Sequence, residues 1–341
     1  MPSTMAVRTM ASFLPDRSVA VAELPELAYL GPAERELCAG LGIDTVHTDP
    51  CLDSFDLAAG AGTQALATAG LAPQDLGALI VIDSRAPDAL MTSFETRLQA
   101  HLGATRALTF SVGGLGCVSL APALLTARGL LAADPDLRDV LVVHGSTPAT
   151  PHRYRHPVTV SGDGGVAAVV SHDGPIRVLD VLQETDGRYW DLFRVEFRDR
   201  PSARWQERCR DLREYSFQLA VESRTRLRGM YRRLLERNGM QRADVAGHVS
   251  HNLSRGAFRF VEETLDVEVA KSCHDILRDL GHLGPNDVLL NLAAEISGGG
   301  LREGDRVVLV AASPVAAWST VLVEIGRGAV EAVASAAGHR H

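Results

Sequence analysis

Short apolar, β-branched runs alternate with stretches of helical period through most of this chain. "ALIVID" (78–83), "DVLVVHG" (139–145) and "GGVAAVVS" (164–171) have the unbroken apolar character of strands covered on both faces. "TSFETRLQAHLG" (92–103) predicts a helix closed by glycine, and "RALTFSV" (106–112) a further strand. After Ser119, the residues Leu120, Leu124, Leu125, Ala127 and Leu131 line one helical face. The same grammar returns after about residue 175. A charged helical stretch (213–237) leads to "VAGHVSHN", then to the helical "SRGAFRFVEETL", and "DRVVLVAASPVAAWSTVLVE" (305–324) supplies two closing strands. Strand–helix alternation on this scale predicts an α/β layered fold with a largely covered sheet. It divides into halves at 1–174 and 175–341, consistent with a duplicated unit. The segment 183–212, rich in Arg, Asp and aromatic residues, reads as an inserted lid or cap, and the tail "SAAGHRH" as a frayed end.

Composition narrows the function classes. The 341 residues are 46% hydrophobic with a mean hydropathy of +0.03, ample for a large core. A net charge of −8 without any Lys/Arg block argues against nucleic acid as a partner. No stretch reaches the roughly 18 uninterrupted apolar residues of a membrane span. The apolar run in "MPSTMAVRTMASFLPD" is too short for a secretory signal. Five widely spread cysteines with no C-x-x-C pair argue against a disulfide framework and a structural zinc site. They favour a reducing, cytoplasmic setting, in which the sequon-like "NLS" at Asn252 carries no glycan.

One segment brings chemistry into view. "GGLGCVSLAPALL" (113–125) places Cys117 between a glycine-rich approach and an apolar helical run. A helix start offers unpaired N–H groups and partial positive charge, which favour thiolate over thiol, and the glycines permit close approach of a ligand. The Cys117 N–H could also donate to an oxyanion on an acyl group held by its own sulfur. The residues alone leave a second reading open, a small buried hydrophobe at a strand–helix turn. No G-x-S-x-G elbow is present, and "CHDILRDLGH" (273–282) fits no common zinc spacing. Arg224, Arg226, Arg228, Arg232 and Arg233 read first as a solvated helix face and second as a dock for an acidic carrier protein. Asp163 reads as a turn residue.

The order of segments resembles the thiolase superfamily, specifically the ketosynthase III-like enzymes (3-oxoacyl-[acyl-carrier-protein] synthase III). "LGIDTVH" stands at the family's TGI-x-x-R segment, and "DLAAGAGTQALATAGLAPQDLGALIVIDS" follows its DLA…AGL-x-P-x-D pattern. "FSVGGLGCVSLAPALLTARGLL" falls on the active-site cysteine and its buried helix. "VSGDGGVAAVVS" matches the GDGAGAVV motif, "HVSHNLSR" the P-H-Q-A-N-x-R motif, and "GHLGPNDVLLNL" the GN-T-x-A-x-S motif. The resemblance spans nearly the whole chain, weakest at 183–212. It implies a duplicated, five-layered α-β-α-β-α thiolase fold and a homodimer. It also implies that Cys117 accepts an acyl group from an acyl carrier protein or acyl-CoA thioester. No cofactor is implied beyond the phosphopantetheine or CoA of that substrate.

Carried over by position, His251 takes the place of the family histidine and His282 stands where ketosynthase III has asparagine. Asp287 follows His282 by five residues, the spacing of a side branch from polyketide and antibiotic pathways that uses Cys or Ser with His and Asp. Those enzymes transfer acyl groups to oxygen or sulfur, or load unusual starter units. In that scheme His282 handles the acceptor's proton and Asp287 fixes its tautomer, although Asp287 also reads simply as a helix cap. His251 is left as a second donor to the acyl oxygen, a relic, or a partner of Asn252. The family's glycine-rich stretch after the last motif is here "AASPVA" (311–316), and Pro314 has no N–H. An oxyanion hole would then fall to the N–H groups of Cys117 and Ser313, with Asn252 as a further candidate substrate-binding residue. The family's coenzyme-guiding tryptophan is also missing, since Trp190 is the first in the chain. The leading expectation is a Cys-dependent acyltransferase delivering to a small-molecule hydroxyl or a second carrier thiol. The alternative is decarboxylative condensation with malonyl-carrier protein, using His251 and His282 as donors. A third possibility is a non-catalytic ketosynthase-like subunit, against which Cys117 counts.

Overall fold

A computed structural model describes residues 5–83, 89 and 91–334. Its main sheet contains β1 (Ala6–Phe13), β2 (Ala78–Ile82), β3 (Leu108–Val112), β4 (Asp139–Ser146), β5 (Gly164–Ser171) and β6 (Ile176–Thr185). A small hairpin of β7 (Phe193–Val195) and β8 (Glu207–Cys209) stands outside it. The main sheet resumes with β9 (Gly247–Ser250), β10 (Arg306–Ser313), β11 (Ala317–Ile325) and β12 (Val333–Ala334). The helices that position the site are α1 (Ser54–Ala69), α2 (Phe94–Leu102), α3 (Leu120–Ala133) and α4 (Ala220–Arg237), followed by α5 (Arg255–Leu265), α6 (Lys271–Leu280) and α7 (Asp287–Ser297). Several begin on side-chain caps legible in the sequence. Ser93 accepts from the Thr96 N–H, Ser254 from the Ala257 N–H, and Asp53 and Asp56 cap each other's backbone.

The sheet runs β9-β10-β11-β6-β1-β5-β4-β2-β3, with β12 also on β1. From β1 outward the pairings are antiparallel to β5, antiparallel to β4 and parallel to β2. From β6 outward the sequence repeats: antiparallel to β11, antiparallel to β10, parallel to β9. The two series meet only where Ala6 and Val7 pair with Arg177 and Ile176.

Strand alternation explains the layers. In β2, Ala78, Ile80 and Ile82 enter one core while Leu79 and Val81 enter another; β5 divides Val166, Ala168 and Val170 from Ala167 and Val169 in the same way. The smaller core lies beneath α1 and α2. The larger one surrounds α3, which packs against β2 and β4 on one side and β6 and β11 on the other. α7 lies against β9, β10 and β1, and α4 and α5 cover the far face of the second series. The result is the five-layered thiolase-like arrangement, with α3 and α7 in the middle layer. By length and apolar character Gly116–Ala133 would suffice to cross a membrane. Here strands on both sides cover it, so its hydrophobicity belongs to the middle of the core.

Close packing of α1 needs the facing pair Gly145 and Gly165 on β4 and β5. A Cβ at Gly145 would lie 1.8 Å from the Ser54 carbonyl oxygen, and one at Gly165 2.0 Å from that of Leu57. The inserted segment starts slightly later than its composition suggests, because Gln183–Thr185 remain in β6, paired with Ala317–Ser319. After it, Glu214–Leu219 form a π-helical turn that runs into α4, where the sequence predicts one uninterrupted helix. The arginines of α4 find partners within the chain. Arg226 and Arg233 reach Glu184, Arg228 donates to the Thr264 carbonyl, and Arg224 and Arg232 face Glu263 and Glu236. Asp163 is held by a bidentate bond from Arg153. The tail "SAAGHRH" lies outside the described residues.

Candidate active site

The two middle-layer helices begin side by side. The 3-10 turn Gly116–Val118 leads into α3, the 3-10 turn Gly284–Asn286 leads into α7, and the turns touch. Cys117 lies in the first turn and Asp287 opens the helix after the second, with His282 just ahead of it. Cys117 Sγ is 3.3 Å from His282 Nε2, and His282 Nδ1 is 2.6 Å from Asp287 Oδ2. Cys117 thus joins a His–Asp pair 165 residues further along the chain in a continuous relay.

Asp287 is fully buried, so its carboxylate must be satisfied internally. Oδ1 accepts the Leu283 N–H at 2.8 Å; Oδ2 accepts the Asn252 N–H at 2.8 Å as well as the imidazole. Its place at the start of α7 adds the favourable end of the helix dipole. The backbone of His282 is held too: its N–H donates to Val160, and its carbonyl accepts from Gly162. Turning the ring would break its own bonds to Asp287 and Cys117. With Nδ1–H committed to the carboxylate, Nε2 is the nitrogen presented to sulfur.

Burial opposes a charged imidazole, but the Cys117 sulfur and Asp287 outweigh it and push His282 up to about 10. His251 goes the other way. Burial holds it near 4 against the pull of Asp287 and of the Val310 backbone.

The other expected site residues sit behind the relay. Asn252 contributes its backbone N–H to Asp287, while its side chain is paired with Asn291, so it supports the carboxylate instead of facing a substrate. Ser313 ends β10 with a buried hydroxyl that has no partner among the described residues. In the turn that follows, the Ala316 N–H closes onto the Ser313 carbonyl, and Val315 is the residue that borders the substrate space.

That space is a cavity of about 640 Å³ reached by Cys117 and His282 but not by His251, Asn252 or Ser313. The inserted hairpin roofs it with Phe193, Phe197 and Trp205, the last two in edge-to-face contact. The roof is fastened to the body by Arg155, whose Nε and Nη2 meet Glu207 Oε2 and Oε1 at 2.5 and 2.6 Å. Burial alone would weaken the Arg155 charge; Glu207 more than offsets it and raises the guanidinium. Arg155, Glu207 and His144, all bordering the cavity, were not singled out from the sequence. For His144 a signal existed: with Ser146 it interrupts an otherwise apolar strand face.

The C-terminal part, residues 235–325, matches the family model for 3-oxoacyl-[acyl-carrier-protein (ACP)] synthase III C terminal. The β-ketoacyl-[acyl-carrier-protein] synthase III of Cereibacter sphaeroides is 29% identical over 328 residues, covering 93% of this chain and 98% of that protein. Among solved structures, ChlB3, described as an acyltransferase, superposes with a TM-score of 0.83 at 24% identity, over 96% of this chain and 99% of that one. The 3-oxoacyl-(acyl carrier protein) synthase III of Pseudomonas aeruginosa PAO1 gives 0.78 at 22% identity, over 95% and 99%.

Proposed function

We propose that this chain is a ketosynthase III-like member of the thiolase superfamily and, within that family, an acyltransferase working through an acyl-cysteine at Cys117. The observation that carries this reading is the Cys117–His282–Asp287 relay opening on a cavity that His251 does not reach. One imidazole backed by a carboxylate suits proton transfer to and from oxygen or sulfur. Stabilising an enolate for condensation calls for a second donor at the same carbonyl.

With His282 Nε2 3.3 Å from Cys117 Sγ and the imidazole pushed up by the sulfur and Asp287, the site favours a thiolate–imidazolium pair at rest. In the first step Cys117 attacks the thioester carbonyl, the C–S bond of the donor breaks, and the departing thiolate takes the proton from His282. Acylation removes the sulfur charge, one of the two that raised the imidazole, and the departing thiolate has taken the proton, so His282 is left as a neutral base. In the second step it takes the proton of an incoming hydroxyl. The new C–O bond forms, the bond to Cys117 breaks, and the ion pair returns. Asp287 keeps Nδ1 protonated throughout. The donor is an acyl carrier protein or acyl-CoA; the acceptor is a small molecule or a second carrier thiol.

The likeness to β-ketoacyl synthases favours a second reading, decarboxylative condensation with a malonyl thioester. The test is to supply the enzyme with butyryl-CoA and, in parallel, an alcohol or malonyl-acyl carrier protein. Ester formation without carbon dioxide is the expected result. Stoichiometric carbon dioxide and a β-ketoacyl product would replace the proposal with the second reading.

A further inference from the structure

His144 takes no part in the relay, yet it borders the same cavity as Cys117 and His282. On β4, period-two alternation sets Val140, Val142, His144 and Ser146 on the middle-layer side, with Val143 and Gly145 turned toward α1. A polar pair therefore continues an apolar stripe just where the strand reaches the cavity. His144 Nδ1 lies 2.8 Å from the Ile82 carbonyl oxygen. A carbonyl only accepts, so Nδ1 carries the hydrogen and Nε2 keeps a lone pair. Nε2 and Ser146 Oγ converge on the space above Gly284: a Cβ there would lie 3.8 Å from the first and 3.9 Å from the second. Gly284 borders the cavity and has φ +66°, so the space is left open by the one residue that adopts this turn without a side chain. Burial, against the pull of the Ile82 bond, lowers the ring to about 4, which keeps it a neutral acceptor near pH 7.

We propose that His144 and Ser146 form a hydroxyl-binding subsite that selects a polyhydroxylated acceptor, holding one hydroxyl while its neighbour is acylated. The inference rests on the acyltransferase reading and names its acceptor class. A neutral nitrogen that can only accept takes an O–H and offers nothing to a carboxylate; Ser146 can both donate and accept. Thr147 and Ser161 add hydroxyls to the same wall, and the aromatic roof suits the C–H face of a polyol. During transfer the attacking hydroxyl gives its proton to His282, its oxygen bonds to the acyl carbon, and sulfur departs. The hydroxyl on His144 keeps its proton.

The experiment compares discharge of butyryl-Cys117 to glycerol and to propan-1-ol. Butyryl carries no hydroxyl, so any discrimination comes from the acceptor. Glycerol is expected to be the faster acceptor by about three- to tenfold, the value of one or two neutral hydrogen bonds. Ser146→Ala and His144→Phe should each bring that ratio toward one, whereas a merely loosened structure would slow both alcohols alike. No preference in the native enzyme, or a preference that survives both substitutions, overturns the subsite. If no acyl-enzyme forms, the acyltransferase reading fails separately. The subsite is then judged by ¹⁵N NMR of Cys117→Ala protein, in which glycerol but not propan-1-ol should move the His144 Nε2 resonance. Absence of that movement overturns it.

Discussion

His282 stands between a sulfur that keeps it protonated and a carboxylate that keeps it from turning, and both can be tested one residue at a time. With His282 raised toward 10 by the adjacent sulfur, Cys117 should react with iodoacetamide well below the ordinary thiol range. In His282→Ala the alkylation rate should instead rise only through about pH 8.5, the value of an unassisted thiol. Asp287→Asn should lower kcat by about a hundredfold or more, because the amide no longer fixes the imidazole tautomer. Steady-state kinetics on an acyl thioester checks it. Cys117, His282 and Asp287 were all legible in the sequence, since motif order carried the first two and the five-residue spacing the third. Asn252 was expected beside the substrate from its adjacency to His251, but adjacency to a motif says nothing about which way a side chain turns, and here it pairs with Asn291 in packed surroundings.

At the scale of elements, the site exists because two equivalent helices of the middle layer start at the same place. Strand alternation and caps showed most elements: β5 lies at 164–171 as read, and α2 ends on the left-handed Gly103. The touching of the turns before α3 and α7 is a long-range fact that no local pattern contains. Likewise the segment 183–212 was visible as an insertion, but the Arg155–Glu207 bond that closes it links residues 52 apart in sequence. Glu207→Gln should loosen the hairpin. We expect faster amide exchange across residues 193–209 and hydrolysis of the acyl-enzyme raised by roughly tenfold, the scale of one charged hydrogen bond. Unchanged exchange would show that the hairpin is held by its aromatic packing instead.

For the whole molecule, buried histidines set the response to pH. His144, His248 and His251 are each lowered by burial to about 4, whereas an unfolded histidine titrates near 6.5. Between those values the unfolded chain binds more protons, so stability falls as pH drops through this window, by about 3 kcal/mol for each histidine at most. His282 acts in the opposite sense: its contribution is full below 6.5 and is lost as pH rises through about 10. Urea midpoints should therefore be highest near pH 6.5, fall between pH 6.5 and 5 as the three lowered histidines protonate on unfolding, and decline between 6.5 and about 10 as the His282 contribution is lost. His251→Leu should flatten the acid limb. A second whole-molecule expectation concerns β3, which among the described residues pairs only with β2 and shows Leu108 54% exposed. An open edge of this kind favours pairing with a second copy. Sedimentation should give a dimer, and Phe110→Pro a monomer.

The central claim, that Cys117 carries the acyl group and His282 with Asp287 governs its passage, is tested most directly by intact-protein mass spectrometry during a single turnover with butyryl-CoA. The expected record is one butyryl adduct on Cys117 that forms quickly, disappears when alcohol is added, persists in Asp287→Asn, and is absent from Cys117→Ala. An adduct retained in Cys117→Ala, or none in the native protein, would contradict it.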